Sequence, residues 1–205
     1  MTHPPLPHFD LGDSLPAVAA SDEMRLRLAT RRSAPAQALT EPGPSPDEIG
    51  EILTLGARSP DHGKLFPWRF VVLGHQARAE LAEALKPLAA IQPQPDKSRA
   101  ALQKLTAAPV TLLVISAPVP SQTVPEWEQQ LSAGAVCMNL EHAANALGYT
   151  ASWITDWYSY DPQALEVLDV AGGEQVAGFI HIGTLAEPPL ERPRPDLAGK
   201  VTWRP

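Results

Sequence analysis

Two short stretches of this chain concentrate groups that could grip an anion or move a proton. Arg31, Arg32 and Ser33 are consecutive, so two guanidinium groups and a hydroxyl could converge on one dianionic phosphate, the arginines through paired N–H donors. The same residues also suit a solvated helix end, where the helix dipole favours basic side chains. Residues 58–68 (RSPDHGKLFPW) are denser: two prolines and a glycine hold Arg58, Asp61, His62 and Lys64 in a loop ahead of a strand. Loops fixed on a scaffold carry much of protein function. A plain surface turn, with Asp61 capping its own backbone and Trp68 in the core, fits these residues too.

Other chemistries find little footing. His62 can hydrogen-bond, carry charge or ligate a metal. However, His75, His142 and His181 lie far apart without HExxH spacing, and the lone Cys137 leaves neither a CxxC pair nor a Cys-rich zinc site. No GxGxxG or GxxxxGK[ST] occurs, which disfavours a Rossmann dinucleotide fold and a P-loop. Ser132 and Ser152 lack a nucleophile elbow, and Cys137 sits among apolar residues, where a thiol is usually an inert packing group. Trp127, Trp153 and Trp157 offer aromatic surface for a flat ring, or simply core.

The elements that must position these groups alternate between helix and strand. Asp22 to Thr30 reads as a short helix with Met24, Leu28 and Ala29 inward, delivering the chain to Arg31. Ser45 as N-cap, Pro46 in the first turn and Glu48 completing a capping box start a helix that carries Ile49, Ile52, Leu53 and Gly56 and ends near Arg58 and Ser59. Phe70 to Leu73 reads as a buried strand, Gln76 to Leu85 as a helix, and Val110 to Ser116 as a central strand. Glu126 to Leu147 is a long helix, apolar or small nearly all round, which places it at the centre of the domain or in a subunit interface. Ala151 to Thr155 and Val176 to Leu185 read as strands, with a short helix from Asp161 to Leu168 between them.

The 205 residues are 44% hydrophobic, enough for one domain, over 21–185, to bury its core without disulfides or metals. Sixteen Lys and Arg against 23 Asp and Glu give a net charge of −7 with no dense basic run, which argues against nucleic acid as a partner. The longest apolar stretch, Ala107 to Val119, is shorter than the roughly 20 residues of a membrane span and contains Pro109 and Pro118. Residues 1–20 read as an extended Pro-rich arm lacking the basic start of a secretory leader. Residues 186–205 read as a tail lying across another surface, the partner subunit in particular. A single cysteine fits a reducing cytoplasm.

Arg31-Arg32-Ser33, SPDHGKLFPWRF, VPEWEQQLSAGAVCMNLEHAANALGY and VAGFIHIGT, in that order, resemble the landmarks of the nitroreductase family, most closely its small YdjA-like branch. The resemblance covers about residues 25 to 185, most of the chain. It implies an α+β fold: a mixed, mainly antiparallel sheet wrapped by helices, in an intertwined homodimer with FMN at the interface and NADH or NADPH as electron donor. On that resemblance Arg31, Arg32 and Ser33 bind the FMN phosphate and ribityl chain from one subunit, while Arg58 and His62 reach the same flavin from the partner. Trp153, Ile154 and Thr155 line the flavin. Ala143, Ala144, Asn145, Ala146, Leu147 and Gly148 lie with the nicotinamide nucleotide.

No metal ligand and no protein nucleophile are implied. A nicotinamide hydride reduces flavin N5, and a nitroaromatic, quinone or related electron-poor acceptor takes the electrons in the same pocket. Three positions depart from the family pattern: Phe66 where Gln usually precedes Pro-Trp, Ile154 where the close branch has Arg, and Asp156 where it has Gly. An Arg lost and a carboxylate gained beside the flavin would disfavour a negatively charged reduced ring. A non-catalytic protein that stores or senses FMN is therefore the alternative expectation.

Overall fold

The apolar run Val110–Ser116 folds as a strand with all its residues buried, in the middle of a five-stranded sheet. The computed structural model describes residues 4–204, so the first three residues of the N-terminal arm and the last of the tail lie outside the described residues. In chain order the strands are β1 (Leu39–Thr40), β2 (Trp68–Leu73), β3 (Val110–Ser116), β4 (Thr150–Ile154) and β5 (Gln175–Leu185). The helices are α1 (Asp22–Thr30), α2 (Pro46–Gly56), α3 (His75–Ile91), α4 (Pro95–Ala107), α5 (Glu126–Ala146) and α6 (Pro162–Val167).

The sheet, expected to be mainly antiparallel, is antiparallel in every pairing among the described residues: β2 with β3, β3 with β5, and β5 with β4 and β1. The connections explain this. Between β2 and β3 the chain makes a helical hairpin, α3 then α4, which returns it to the end of the sheet it left. Between β3 and β4 it makes one helical pass, α5, so those strands run the same way. They never pair, because β5 inserts between them with the opposite direction.

Side chains alternate across β3 with a period of two, and each face has its own core. Leu113 and Ile115 meet Leu85, Ala89, Leu102, Leu105 and Phe179 beneath α3 and α4. Leu112 and Val114 meet Ile52, Val136, Leu140 and Ala144 beneath α2 and α5. The predicted capping box of α2 is present: the Ser45 hydroxyl accepts from the Glu48 amide, and the Glu48 carboxylate accepts from the Ser45 amide. At the far end of α2, Gly56 lies so close to α5 that a Cβ there would overlap the Leu140 side chain.

Three expectations need correction. α1 has the predicted span but no buried residue: Met24 and Leu28 are 63% and 53% exposed, and Ala29 faces solvent. A single chain offers this apolar face little to pack against. The helix expected over residues 76–85 continues through Pro87 to Ile91, because the fully buried Leu85 and Ala89 on either side of the proline hold it to the core. α4, not anticipated, starts with Pro95 in its first turn, where the missing N–H costs nothing. The buried Arg78 closes the α4 end, donating to the carbonyls of Leu105, Ala108 and Pro109. Among the described residues no helix is long and apolar enough to cross a membrane.

Candidate functional site

A buried carboxylate, absent from the sequence-based candidates, organises the first predicted cluster. Glu141, on α5, has a side chain only 4% exposed. Arg31 donates to its Oε2 at 3.3 Å, Ser33 Oγ donates to Oε1 at 3.4 Å, and the Trp153 amide donates to Oε1 at 3.0 Å. One side chain thus ties the segment after α1 and strand β4 to α5. Burial pushes the Glu141 carboxyl above its ordinary range, while Arg31, the Trp153 amide and Ser33 pull it back down. The signal was available: Glu141 is a lone acid in the otherwise apolar and neutral stretch from Leu131 to Leu147.

Arg32 takes a different direction. Its Nε donates to the carbonyl of Leu190 at 3.0 Å, and Arg194 donates to the carbonyl of Arg31 at 3.2 Å. The extended stretch of the C-terminal tail from Leu190 to Arg194 therefore lies against the arginine pair of its own chain. Arg31 and Arg32 are both half-buried, with edges open to solvent.

The second cluster hangs on another flank of α5. Asn139 donates to Ser59 Oγ at 2.8 Å, Ser132 Oγ donates to the Pro60 carbonyl at 2.8 Å, and His62 Nδ1 meets the Glu128 carboxylate at 2.6 Å. At 100° per residue, Glu128, Ser132 and Asn139 fall within about 40° of one another around the helix, whereas Glu141 lies about 180–220° away from them. Arg58 is exposed: its amide donates to the Leu55 carbonyl at 3.2 Å, and its guanidinium makes no hydrogen bond or ion pair among the described residues. Asp61 caps its loop as the plain reading anticipated, its Oδ2 accepting from the Phe66 amide at 2.8 Å. Lys64 and Phe66 take left-handed backbone angles, φ 56° and 49°, which cost L-residues about 1–2 kcal/mol each. Phe66 is 63% exposed, with its ring edge-on to Trp68.

β4 carries the third group. The Trp153 indole donates to the Ala177 carbonyl at 3.0 Å and lies on β5 where Gly178 has no side chain; any Cβ there would overlap the ring. Ile154 is half-buried, and Thr155 Oγ1 shares a 3.0 Å hydrogen bond with the Tyr160 hydroxyl. Asp156 is paired with Lys104 at 2.6 Å and caps the short turn Trp157–Ser159. The carboxylate expected to oppose a reduced ring thus has a cation, Lys104, as its partner within the same chain.

The segment 143–148 is divided. Ala144 and Leu147 are buried in the α5 core, and Gly148, at φ 89°, ends the helix. Ala143, Asn145 and Ala146 border a groove of about 470 Å³ between α1 and α5, with Met24, Arg27, Leu28, Leu55 and His142. Of these three, Ala143 is itself buried in the same core and reaches the groove only by an edge, which leaves Asn145 and Ala146 as its accessible positions. The tryptophans do not converge either: Trp127 is 66% exposed, and Trp157 donates to the Ser98 carbonyl from the opposite core. Cys137 is buried, which pushes its thiol up to about 12 and leaves it inert near neutrality. Among the described residues no three His, Cys, Asp or Glu side chains cluster as metal ligands.

The family model described as the nitroreductase family matches residues 28–184. The chain is 31% identical over 158 residues to the "Putative NAD(P)H nitroreductase YdjA" of Escherichia coli K12, a match covering 77% of this chain and 85% of that one. A Haemophilus influenzae protein with the name "Putative NAD(P)H nitroreductase" is 31% identical over the same shares. The fold is similar to a nitroreductase-like protein of Bacillus cereus, with TM-score 0.79 and 20% identity over 92% of this chain and 99% of that one. It is also similar to a Desulfovibrio desulfuricans protein solved in complex with FMN, with TM-score 0.70 and 22% identity over 91% and 99%. By the length of the family match and the identity to its relatives, the chain belongs to the nitroreductase family.

Proposed function

We propose that this protein is an FMN-dependent NAD(P)H oxidoreductase that reduces nitroaromatic, quinone or related electron-poor acceptors, as a homodimer with flavin between the subunits. The observation that carries the reading is the placement of the two cationic clusters. Arg31 and Ser33 attach to one flank of α5, and the loop that carries Arg58 attaches to the other through Ser59, Pro60 and His62, across a helix about 10 Å wide. With the clusters on opposite sides of one helix, a second chain that supplies the missing cluster is the arrangement that brings both to one ligand. The exposed Met24, Leu26 and Leu28 of α1, with Trp127 and Leu131 of α5, offer apolar surface for that second chain to cover.

The residues present fit FMN. Arg31, Arg32 and Ser33 supply charge-assisted donors suited to a phosphate. Trp153, Ile154 and Thr155 present backbone and apolar surface suited to the ring. Arg58 and His62 of the second subunit complete the site. Bound FMN would accept a hydride from NADH or NADPH and hand the electrons to the acceptor. The protein's part is to hold donor and acceptor in reach and keep positive charge near the ring. Asn145 and Ala146, on the α1–α5 groove with the edge of Ala143, are the positions open to the nucleotide. Residues 21–185 form the catalytic domain, the Pro-rich arm and tail serve as extensions, and the enzyme works in the cytoplasm.

Purified protein incubated with FMN and desalted is expected to stay yellow and to bleach on anaerobic mixing with NADPH or NADH. A colourless product would overturn the reading. A second reading, FMN storage or sensing without turnover, is favoured by the apolar Ile154 on the flavin-lining strand. It predicts yellow protein that neither nucleotide bleaches.

A further inference from the structure

Glu141 has no assigned part in holding the flavin, yet it occupies two of the groups that do. Its carboxylate receives the Arg31 guanidinium at 3.3 Å and the Ser33 hydroxyl at 3.4 Å, long contacts for donors of this kind. Arg31 also reaches Ser33 Oγ at 3.3 Å, so the three side chains form a closed triangle in which a protein carboxylate stands where a ligand anion would sit.

We propose that Glu141 is the resident counter-anion of the phosphate site: in the flavin-free protein it holds the donors of Arg31 and Ser33, and a phosphate-bearing ligand must take them over from it. The inference rests on the reading that Arg31 and Ser33 receive the FMN phosphate. After the transfer, Glu141 keeps only the Trp153 amide at 3.0 Å. Arg31 is the one charged group acting on it among the described residues; Cys137 and His142, on its own helix, are its other titratable neighbours. Burial already favours the protonated carboxyl against the pull of Arg31. A carboxylate left buried without its cation takes a proton rather than remain charged. Binding of the phosphate is therefore coupled to proton uptake, and affinity falls as pH rises. The second ionisation of the FMN phosphate, near pH 6, acts with the opposite sign and is complete by about pH 7.5.

The test uses flavin-stripped protein, with FMN and riboflavin as probes and fluorescence quenching as the readout. Glu141→Gln keeps the shape and an acceptor for the Trp153 amide but carries no charge. It is expected to bind FMN about tenfold more tightly than wild type at pH 7.5, with little pH dependence above that, while riboflavin changes less than about twofold. Equal or weaker FMN binding by Glu141→Gln overturns the inference. Titration calorimetry of wild type in Tris and HEPES at pH 7.5 gives the proton count without a variant. Net uptake with FMN and none with riboflavin supports the proposal, and no uptake with FMN overturns it. Arg31→Ala separates the two layers: if it keeps the preference for FMN over riboflavin, the phosphate assignment itself has failed. If it loses that preference and Glu141→Gln does not tighten, only the counter-anion role has failed.

Discussion

His181 stands on β5 with its ring fully buried, Nδ1 sharing a 2.8 Å hydrogen bond with Thr111 and Nε2 without a partner among the described residues. Burial, with the positive charges of Arg78 and Lys104 nearby, pushes its pKa down to about 4. The unfolded chain, with an ordinary imidazole, binds the extra proton at a higher pH. The stability this histidine confers is thus complete above about pH 6.5 and is lost as pH falls toward 4, by up to about 3 kcal/mol. Urea midpoints measured from pH 7 to 4.5 are expected to fall steeply in wild type and less steeply in His181→Gln. Parallel slopes would mean that another group governs the acid limb. His181 and Glu141 mark what single residues concealed in the sequence. A histidine or glutamate is written the same way whether it faces solvent or a core, and only the fold decides which chemistry it keeps. Arg31 and Ser33 stood out as groups able to grip an anion because they lie two residues apart in the chain. Their buried partner, 110 residues from Arg31, was not.

At the scale of elements, α2 shows how local signals and tertiary contact share the work. Its start was legible because a capping box is written in four consecutive residues, and its end is set by Gly56 against Leu140. The two glycines of this helix separate these effects. Gly50 has open space around the position of a Cβ, whereas Gly56 has none. Gly50→Ala is expected to stabilise the protein by about 0.5–1 kcal/mol through helix propensity. Gly56→Ala, forcing α2 away from α5, is expected to cost about 1–3 kcal/mol. Thermal midpoints moving in opposite directions would bear this out; a matching gain for both would show that α2 is free to shift. The same division explains the errors elsewhere. β3 and β5 were legible because buried strands are apolar runs, but α3 beyond Pro87 is held by core contacts that outweigh the proline, and β1 is a two-residue strand that exists through its pairing with Leu185 and Thr184.

At the scale of the molecule, the proposed dimer would cover the exposed apolar side of α1 and join the cationic clusters that α5 separates. A site made of Arg31 from one chain and Arg58 from another has a countable consequence. In a twofold dimer each site draws one residue from each subunit. Arg31→Ala and Arg58→Ala homodimers are each expected to lose FMN affinity at both sites, by about 1.5–3 kcal/mol for a charge-assisted phosphate contact of Arg31. When the two variants are mixed, unfolded together and refolded, half of the dimers are mixed. Each mixed dimer has one site with both arginines intact and one with neither. About one quarter of all sites should therefore regain wild-type FMN affinity, a fraction fixed by symmetry rather than by any interaction energy. Equilibrium titration of the refolded mixture would resolve that tight fraction from the weak remainder. If no tight fraction forms, while refolded wild type recovers its own sites, Arg31 and Arg58 do not meet on one flavin across a subunit boundary.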